Sequence, residues 1–172
     1  MATREHLIDT LGCALLGCAL LGSWSCVGVP RTSMPRVSGL ADDGDDLYRA
    51  SQRLVIEGLD ADIGGQEARA RSRYERALQV DASNPWAYLA LARHYVDAGD
   101  AGNALPHLDR AEALLESQAF DSPGARVHCD GLRGAALVLQ GREAEGLALL
   151  DGVARAAPGV WGDGHLDAAE LR

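Results

Sequence analysis

The sequence predicts an all-α protein of one domain, and three observations support that prediction. Of the 172 residues, 47% are hydrophobic and 24% are charged, a balance typical of a chain that folds. Aromatic residues make up only 5% of the chain, whereas Ala, Leu and Arg are abundant, which favours helices packed through small side chains. Beyond residue 46 the apolar residues recur at helical spacing, in segments separated by Gly and Pro.

The charge of the chain argues against nucleic-acid binding. The formal net charge is -9, and all 16 basic residues are Arg, so no Lys-rich patch is present to gather phosphates. The acidity favours solubility and does not by itself point to a substrate.

Residues 1–26 have the architecture of a signal peptide. A polar start with Arg4 is followed by an apolar stretch over residues 11–22 and by the small-residue exit Ser23-Trp24-Ser25-Cys26. The stretch is well short of the roughly 20 residues that a transmembrane helix needs. We therefore expect export of the protein.

The cysteines are concentrated in this segment. Cys13, Cys18 and Cys26 lie in it, and only Cys129 lies in the body, which argues against a disulfide framework. Cys26 resembles the lipidated first residue of a bacterial lipoprotein, although Trp24 is bulky for such a signal. Cys18 follows smaller residues but has a shorter apolar core before it. Lipidation at Cys26, lipidation at Cys18 and simple cleavage all stay open, with Cys26 slightly favoured.

Residues 27–46 lack an apolar period and contain Pro30 and Pro35, so they are predicted to be a flexible linker. The acidic run over residues 42–46 lacks the Gly and Glu offsets of a calcium loop. It is typical of solvated charge at a helix start.

Residues 47–172 are predicted to form the helical domain. Asn84-Pro85 indicates a cap and a first helical residue, and Gly99-Asp100 indicates a helix stop and the next cap. Pro106 predicts a kink or a late start in the helix that contains it. The predicted helices cover residues 47–63, 66–80, 85–98, 101–117, 125–140, 143–156 and 164–171.

The domain contains an internal repeat. A shift of 34 residues along the chain superposes Gly65 on Gly99, and a further shift of 42 superposes Gly99 on Gly141. The difference between the two shifts fits an insertion around residues 117–124. The same shifts also align the small residues Ala70 with Ala104, Ala77 with Ala111, and Ala92 with Gly134.

The central repeat resembles the tetratricopeptide repeat family. The residues that carry the resemblance are Tyr88-x2-Leu91-Ala92-x2-Tyr95, then Gly99-Asp100, then Ala104-x3-Leu108-x2-Ala111. The resemblance implies a solenoid of about three antiparallel helical hairpins. A C-terminal capping helix would cover the last hairpin, with Trp161 as its packing anchor.

The resemblance further implies that the inner face of the array binds a peptide or helix from another protein. Trp86 could instead pack against the preceding hairpin, and both interpretations stay open. The inner-face candidates are Trp86, Leu89, Arg93, Val96 and Asp97 in the central repeat, and His128, Gly131, Ala135, Val138 and Leu139 in the third.

The residues predict no catalytic constellation, metal site or cofactor site. The histidines lack metal-ligand spacing, and His128 and Cys129 are neighbours that point about 100° apart on a helix. We expect a protein-binding adaptor or scaffold of a bacterial cell envelope, periplasmic or tethered to the membrane by a lipid anchor, with no nucleic-acid or small-molecule partner. The alternative is a structural subunit that self-associates through the same faces.

Overall fold

The structure is a computed structural model, and it describes residue 37, residues 46–117 and residues 123–172. Every regular element in these ranges is helical and none is a strand, so the all-α prediction is confirmed for them. The signal segment with Cys26 and nearly all of the predicted linker lie outside the described residues. The helices are α1 (Asp46–Ile63), α2 (Glu67–Val80), α3 (Pro85–Asp97), α4 (Ala101–Ser117), α5 (Pro123–Leu139), α6 (Glu143–Ala156), α7 (Pro158–Trp161) and α8 (Ala168–Leu171).

Consecutive helices pack in pairs. The closest partners are α1 with α2, α3 with α4, and α5 with α6, which gives three successive helical hairpins. The first helices of the hairpins also contact one another, α1 against α3 and α3 against α5. We call the surface formed by α1, α3 and α5 the first-helix layer.

The three hairpins share one turn geometry. Gly65, Gly99 and Gly141 have φ values of 68°, 75° and 80°, a conformation that residues with a Cβ rarely adopt. After each glycine, a backbone N–H donates to the carbonyl five residues earlier, as Asp100 does to Tyr95 at 2.8 Å. The helix stop predicted at Gly99 is confirmed, and the turns recur at the spacing of the sequence repeat.

The start of α3 also follows the sequence prediction. The Asn84 side chain accepts a hydrogen bond from the Trp86 backbone N–H at 3.0 Å, and Pro85 is the first helical residue. The Asn84 amide donates to the Ser51 hydroxyl at 2.8 Å, and that hydroxyl donates to the Ala77 carbonyl at 3.0 Å. All three polar groups are buried, so the cap of α3 also joins α1 and α2.

Small residues lie where the helices of a hairpin meet. Ala92 and Ala104 are both fully buried in the second hairpin. In the third, a Cβ on Gly134 would lie 2.9 Å from the Gly146 carbonyl, and a Cβ on Gly146 would lie 2.5 Å from the Gly134 carbonyl. Because each added Cβ would meet a backbone carbonyl of the other helix, no flexible side chain could move to make room. Helices α5 and α6 therefore require glycine at both positions.

One of the two alternatives for Pro106 is excluded, and the expectation for the last helix is wrong. Helix α4 begins at Ala101 and contains Pro106, so the late start is excluded, while the kink stays a prediction. Of the single helix predicted over residues 164–171, only the part that forms α8 is helical, and a short helix that was not predicted, α7, precedes it. Helix α8 packs against α1, at the opposite end of the array from the last hairpin that we expected it to cover.

The role expected for Trp161 as a packing anchor is confirmed. Its side chain is fully buried, and its ring occupies the space beside Gly131 of α5, where a Cβ would lie 2.4 Å from the indole. The core continues toward the N-terminus, since Val37 is also fully buried within it. Among the described residues, no helix is long and apolar enough to cross a membrane.

Alanine at Gly146 should destabilise the domain, whereas alanine at Gly152 should not. Both glycines lie in α6, but a Cβ on Gly152 meets no atom within 4 Å. We expect Gly146→Ala to lower the free energy of unfolding by about 1–3 kcal/mol through overpacking. Gly152→Ala should raise it by about 0.5–1 kcal/mol through helix propensity. Urea unfolding followed by circular dichroism measures both, and equal effects would contradict the close crossing of α5 and α6.

Candidate functional site

The structure separates the predicted partner-binding residues into a buried set and an accessible set. Of the two smallest candidates, Gly131 is buried beneath the ring of Trp161, and Ala135 is half-buried. The buried set is covered by the chain itself and supports the first-helix layer from within. It consists of Trp86, Leu89, Arg93, Val96 and His128. The accessible set consists of Asp97 and Leu139, which are exposed, and Val138, which is half-buried.

A cavity of about 410 Å³ lies where α1, α3 and α8 meet, and it is partly open to solvent. It brings together two of the predicted residues, Arg93 and Asp97, with several that the sequence prediction missed. From the part of the chain that the structure describes, four carboxylates and one guanidinium contribute to its wall. The charged and titratable lining residues are Asp62, Glu67, Arg93, His94, Asp97 and Asp167.

Asp62 is the centre of the hydrogen-bond network on this wall. It accepts hydrogen bonds from the Arg93 guanidinium, from the Tyr74 hydroxyl at 2.8 Å and from His94 Nδ1 at 3.0 Å. A carboxylate only accepts, so His94 must carry its hydrogen on Nδ1. The side chains of Asp62 and Arg93 are only 8% and 2% exposed. The network therefore joins α1, α2 and α3 through a buried charge pair.

The site shifts the pKa values of the two acidic partners of Arg93, Asp62 and Asp97, in opposite directions. Burial by itself would raise the pKa of Asp62, but the His94 hydrogen bond, the Arg93 charge and the Tyr74 hydrogen bond together lower it. Burial raises the pKa of Asp97, although Arg93 opposes the change. The Asp62 carboxylate thus stabilises the fold above its unfolded-state pKa, and this contribution is lost as the pH falls through its lowered folded-state pKa.

The C-terminal residues form the remaining wall of the cavity. Asp167 and Glu170 make a capping box at the start of α8, in which Glu170 accepts from the Asp167 backbone N–H at 2.9 Å. His165 Nε2 lies 3.3 Å from Asp167 and 3.8 Å from Asp97. The cap thus places Asp167 on the same cavity wall as the acidic residues of α1 and α3.

A second cavity, of about 270 Å³, lies between α4 and α5. Arg133 pairs there with Asp109 at 2.8 Å and with Glu112 at 2.9 Å. Cys129 is buried beside them, and burial, Glu112 and Asp130 raise the pKa of its thiol to about 12. The thiol is protonated at neutral pH, and a protonated thiol is a poor nucleophile.

The acidic cavity is suited to binding a basic group. Carboxylates outnumber cations on its wall, and charge-assisted hydrogen bonds to a guanidinium or ammonium are among the stronger polar contacts. Among the described residues, its lining contains no hydroxyl or thiol side chain. Across residues 46–117 and 123–172, no group of three or more potential ligands is arranged to hold a metal ion.

One signal in the sequence could have revealed Asp62. The repeat shifts of 34 and 42 residues place Asp62 in register with Val96 and Val138. A carboxylate at a position that is apolar in two repeats needs a polar partner in the core. His94 and α8 gave no comparable signal, since their partners are distant in the sequence.

Comparisons of the chain with protein-family models, with curated proteins and with solved structures find no match. Function is therefore inferred from the residues and their geometry.

Removal of Arg93 should destabilise the domain far more than removal of Arg133. Arg93→Ala leaves Asp62 buried without its cation, which costs about 3–5 kcal/mol for buried pairs. Arg133 also contacts two carboxylates, but its side chain is 25% exposed, so Arg133→Ala should cost about 1 kcal/mol or less. Urea unfolding of both variants measures the difference. Equal losses would show that the Asp62 network does not hold the first three helices together.

Proposed function

We propose that this protein binds another protein along the first-helix layer and serves as an adaptor or scaffold. The layer places α1, α3 and α5 side by side, which gives a surface of three successive helices. Arrays of helical hairpins commonly use such a surface to receive a partner segment. The proposal takes the hairpins to be tetratricopeptide-type repeats, supported by the motif residues and the repeated glycine turns.

The observation that carries the proposal is the acidic cavity at one end of this layer. Arg93 and Asp97, two of the predicted contact residues, lie on its wall beside Glu67. Glu67 is exposed and makes no ion pair with another described residue, so its charge is available to a partner. A partner segment with a basic side chain is the best match, because opposite charges favour encounter and register.

The roles of the predicted contact residues differ in this proposal. Asp97 and Leu139 are exposed and would contact the partner directly, whereas Trp86, Leu89 and His128 would support the layer from beneath. The proposal assigns no catalytic residue and no cofactor.

Self-association is the second candidate function. Leu139 of α5 and Leu147 of α6 are 49% and 53% exposed, and both belong to the last hairpin. Apolar side chains exposed at the end of a hairpin array offer a surface for a second copy. Multi-angle light scattering distinguishes a monomeric adaptor from such an oligomer.

Site-specific crosslinking tests the adaptor proposal. A photo-crosslinking amino acid at Glu67 should capture a protein partner in intact cells, because this position lies on the cavity wall. The same substitution at Glu75 is the matched control, since Glu75 is also an exposed glutamate of α2 but lies outside the cavity. We expect a discrete adduct at position 67 and none at 75. Absence of an adduct at 67, or identical adducts at both positions, would contradict the proposal.

We also propose export with lipidation at Cys26, which is supported by the signal-like sequence of residues 1–26. Labelled palmitate should be incorporated into the wild-type protein and lost in Cys26→Ala, while Cys129→Ala retains the label as the control. Label that persists in Cys26→Ala would indicate that Cys18, and not Cys26, is the lipidated residue. Absence of label from the wild type would favour simple cleavage.

A further inference from the structure

The C-terminal segment, residues 163–172, returns from the last hairpin to the first. Leu166 and Leu171 are buried almost completely, although they lie at the end of the chain. Helix α8 packs against α1, and Arg172 places its guanidinium on both carboxylate oxygens of Asp60 in α1. Two leucines and one arginine therefore fix this segment to the surface.

The conformation of this segment depends on its attachment. Helix α8 has only four residues, and a helix of that length is not stable by itself, so it needs docking to form. The three hairpins have their own contacts within and between α1 to α6, and these do not involve α8.

We propose that the C-terminal segment is a displaceable occupant of the first-helix layer, and that the partner is a peptide of the same chemistry. This inference rests on the proposed protein-binding function and names its ligand class. The partner would present two leucines five residues apart, followed directly by a basic residue, as in Leu166, Leu171 and Arg172.

The charge of the surface supports this choice of ligand. Asp60 already binds a guanidinium, and Asp62, Glu67 and Asp97 extend the acidic character into the adjoining cavity. Asp167 of the segment lies on the wall of that cavity, and Asp163 and Glu170 are further acidic residues of the segment. A foreign peptide without those acidic residues avoids that repulsion and would compete favourably for the same leucine contacts.

The tethered segment has a high effective concentration, of the order of millimolar for a short connection. A free peptide therefore competes poorly until the internal contact is weakened. The double substitution Leu171→Ala with Arg172→Ala removes two anchors from the segment and leaves the receiving residues of α1 and α3 unchanged.

The experiment uses a fluorescein-labelled peptide with the sequence of residues 163–172 and the full chain. Fluorescence anisotropy should show that the L171A/R172A chain binds the peptide at least about tenfold more tightly than the wild type does. A peptide with both leucines replaced by serine should not bind, and Asp60→Ala in the double-substituted chain should weaken binding. Circular dichroism confirms that each variant retains its helices.

Three results would overturn the proposal. Equal affinity of the peptide for the wild-type and L171A/R172A chains would place it at another surface, and absence of binding to a folded L171A/R172A chain would show that the surface does not receive it. A wild-type dimer that becomes monomeric in L171A/R172A would identify the occupant as a second copy.

If the peptide fails to bind but the crosslink at position 67 persists, the adaptor function stands without this ligand class. If both fail, the adaptor function is contradicted.

Discussion

The close crossing of the two helices in each hairpin is the constraint on which the rest of the structure depends. Where Gly134 and Gly146 meet, no larger side chain separates the backbones, and Ala92 and Ala104 of the second hairpin are fully buried. Bulky groups are therefore confined to either side of the crossing, where they fill the core between hairpins. In the first hairpin, Gly58 serves the same purpose by admitting the ring of Tyr74, whose hydroxyl then reaches Asp62.

The elements that could be predicted from the sequence are those specified by neighbouring residues. Asn84 caps the helix that begins immediately after it, and Gly99 ends the preceding helix through its own backbone conformation. The helices from α1 to α6 consequently lie within about two residues of their predicted positions, which is the usual uncertainty of helix ends. Trp161 is predicted as a packing residue because it precedes the segment that is expected to cap the last hairpin, and its side chain is fully buried.

The candidate site could be predicted only in part, because its partners are far apart in the chain. Arg93 and Asp97 were found from the repeat register, but Asp62 is 31 residues from Arg93 and belongs to another hairpin. The spacing of apolar residues along one helix shows which residues share a face of that helix. It does not show which other helix will cover that face. For this reason Arg93 was expected to contact a partner, whereas it is buried against a carboxylate of the same chain.

The contact between α8 and α1 changes how the array holds together. In an open array each hairpin touches only its neighbours, so an end can fray without disturbing the far end. Here the last described helix lies on the first, and Arg172 reaches across to Asp60. While α8 is docked, the chain of pairwise contacts thereby forms a closed loop, in which loosening at either end removes support from the other. Such closure favours a single cooperative unfolding transition over stepwise melting from the termini.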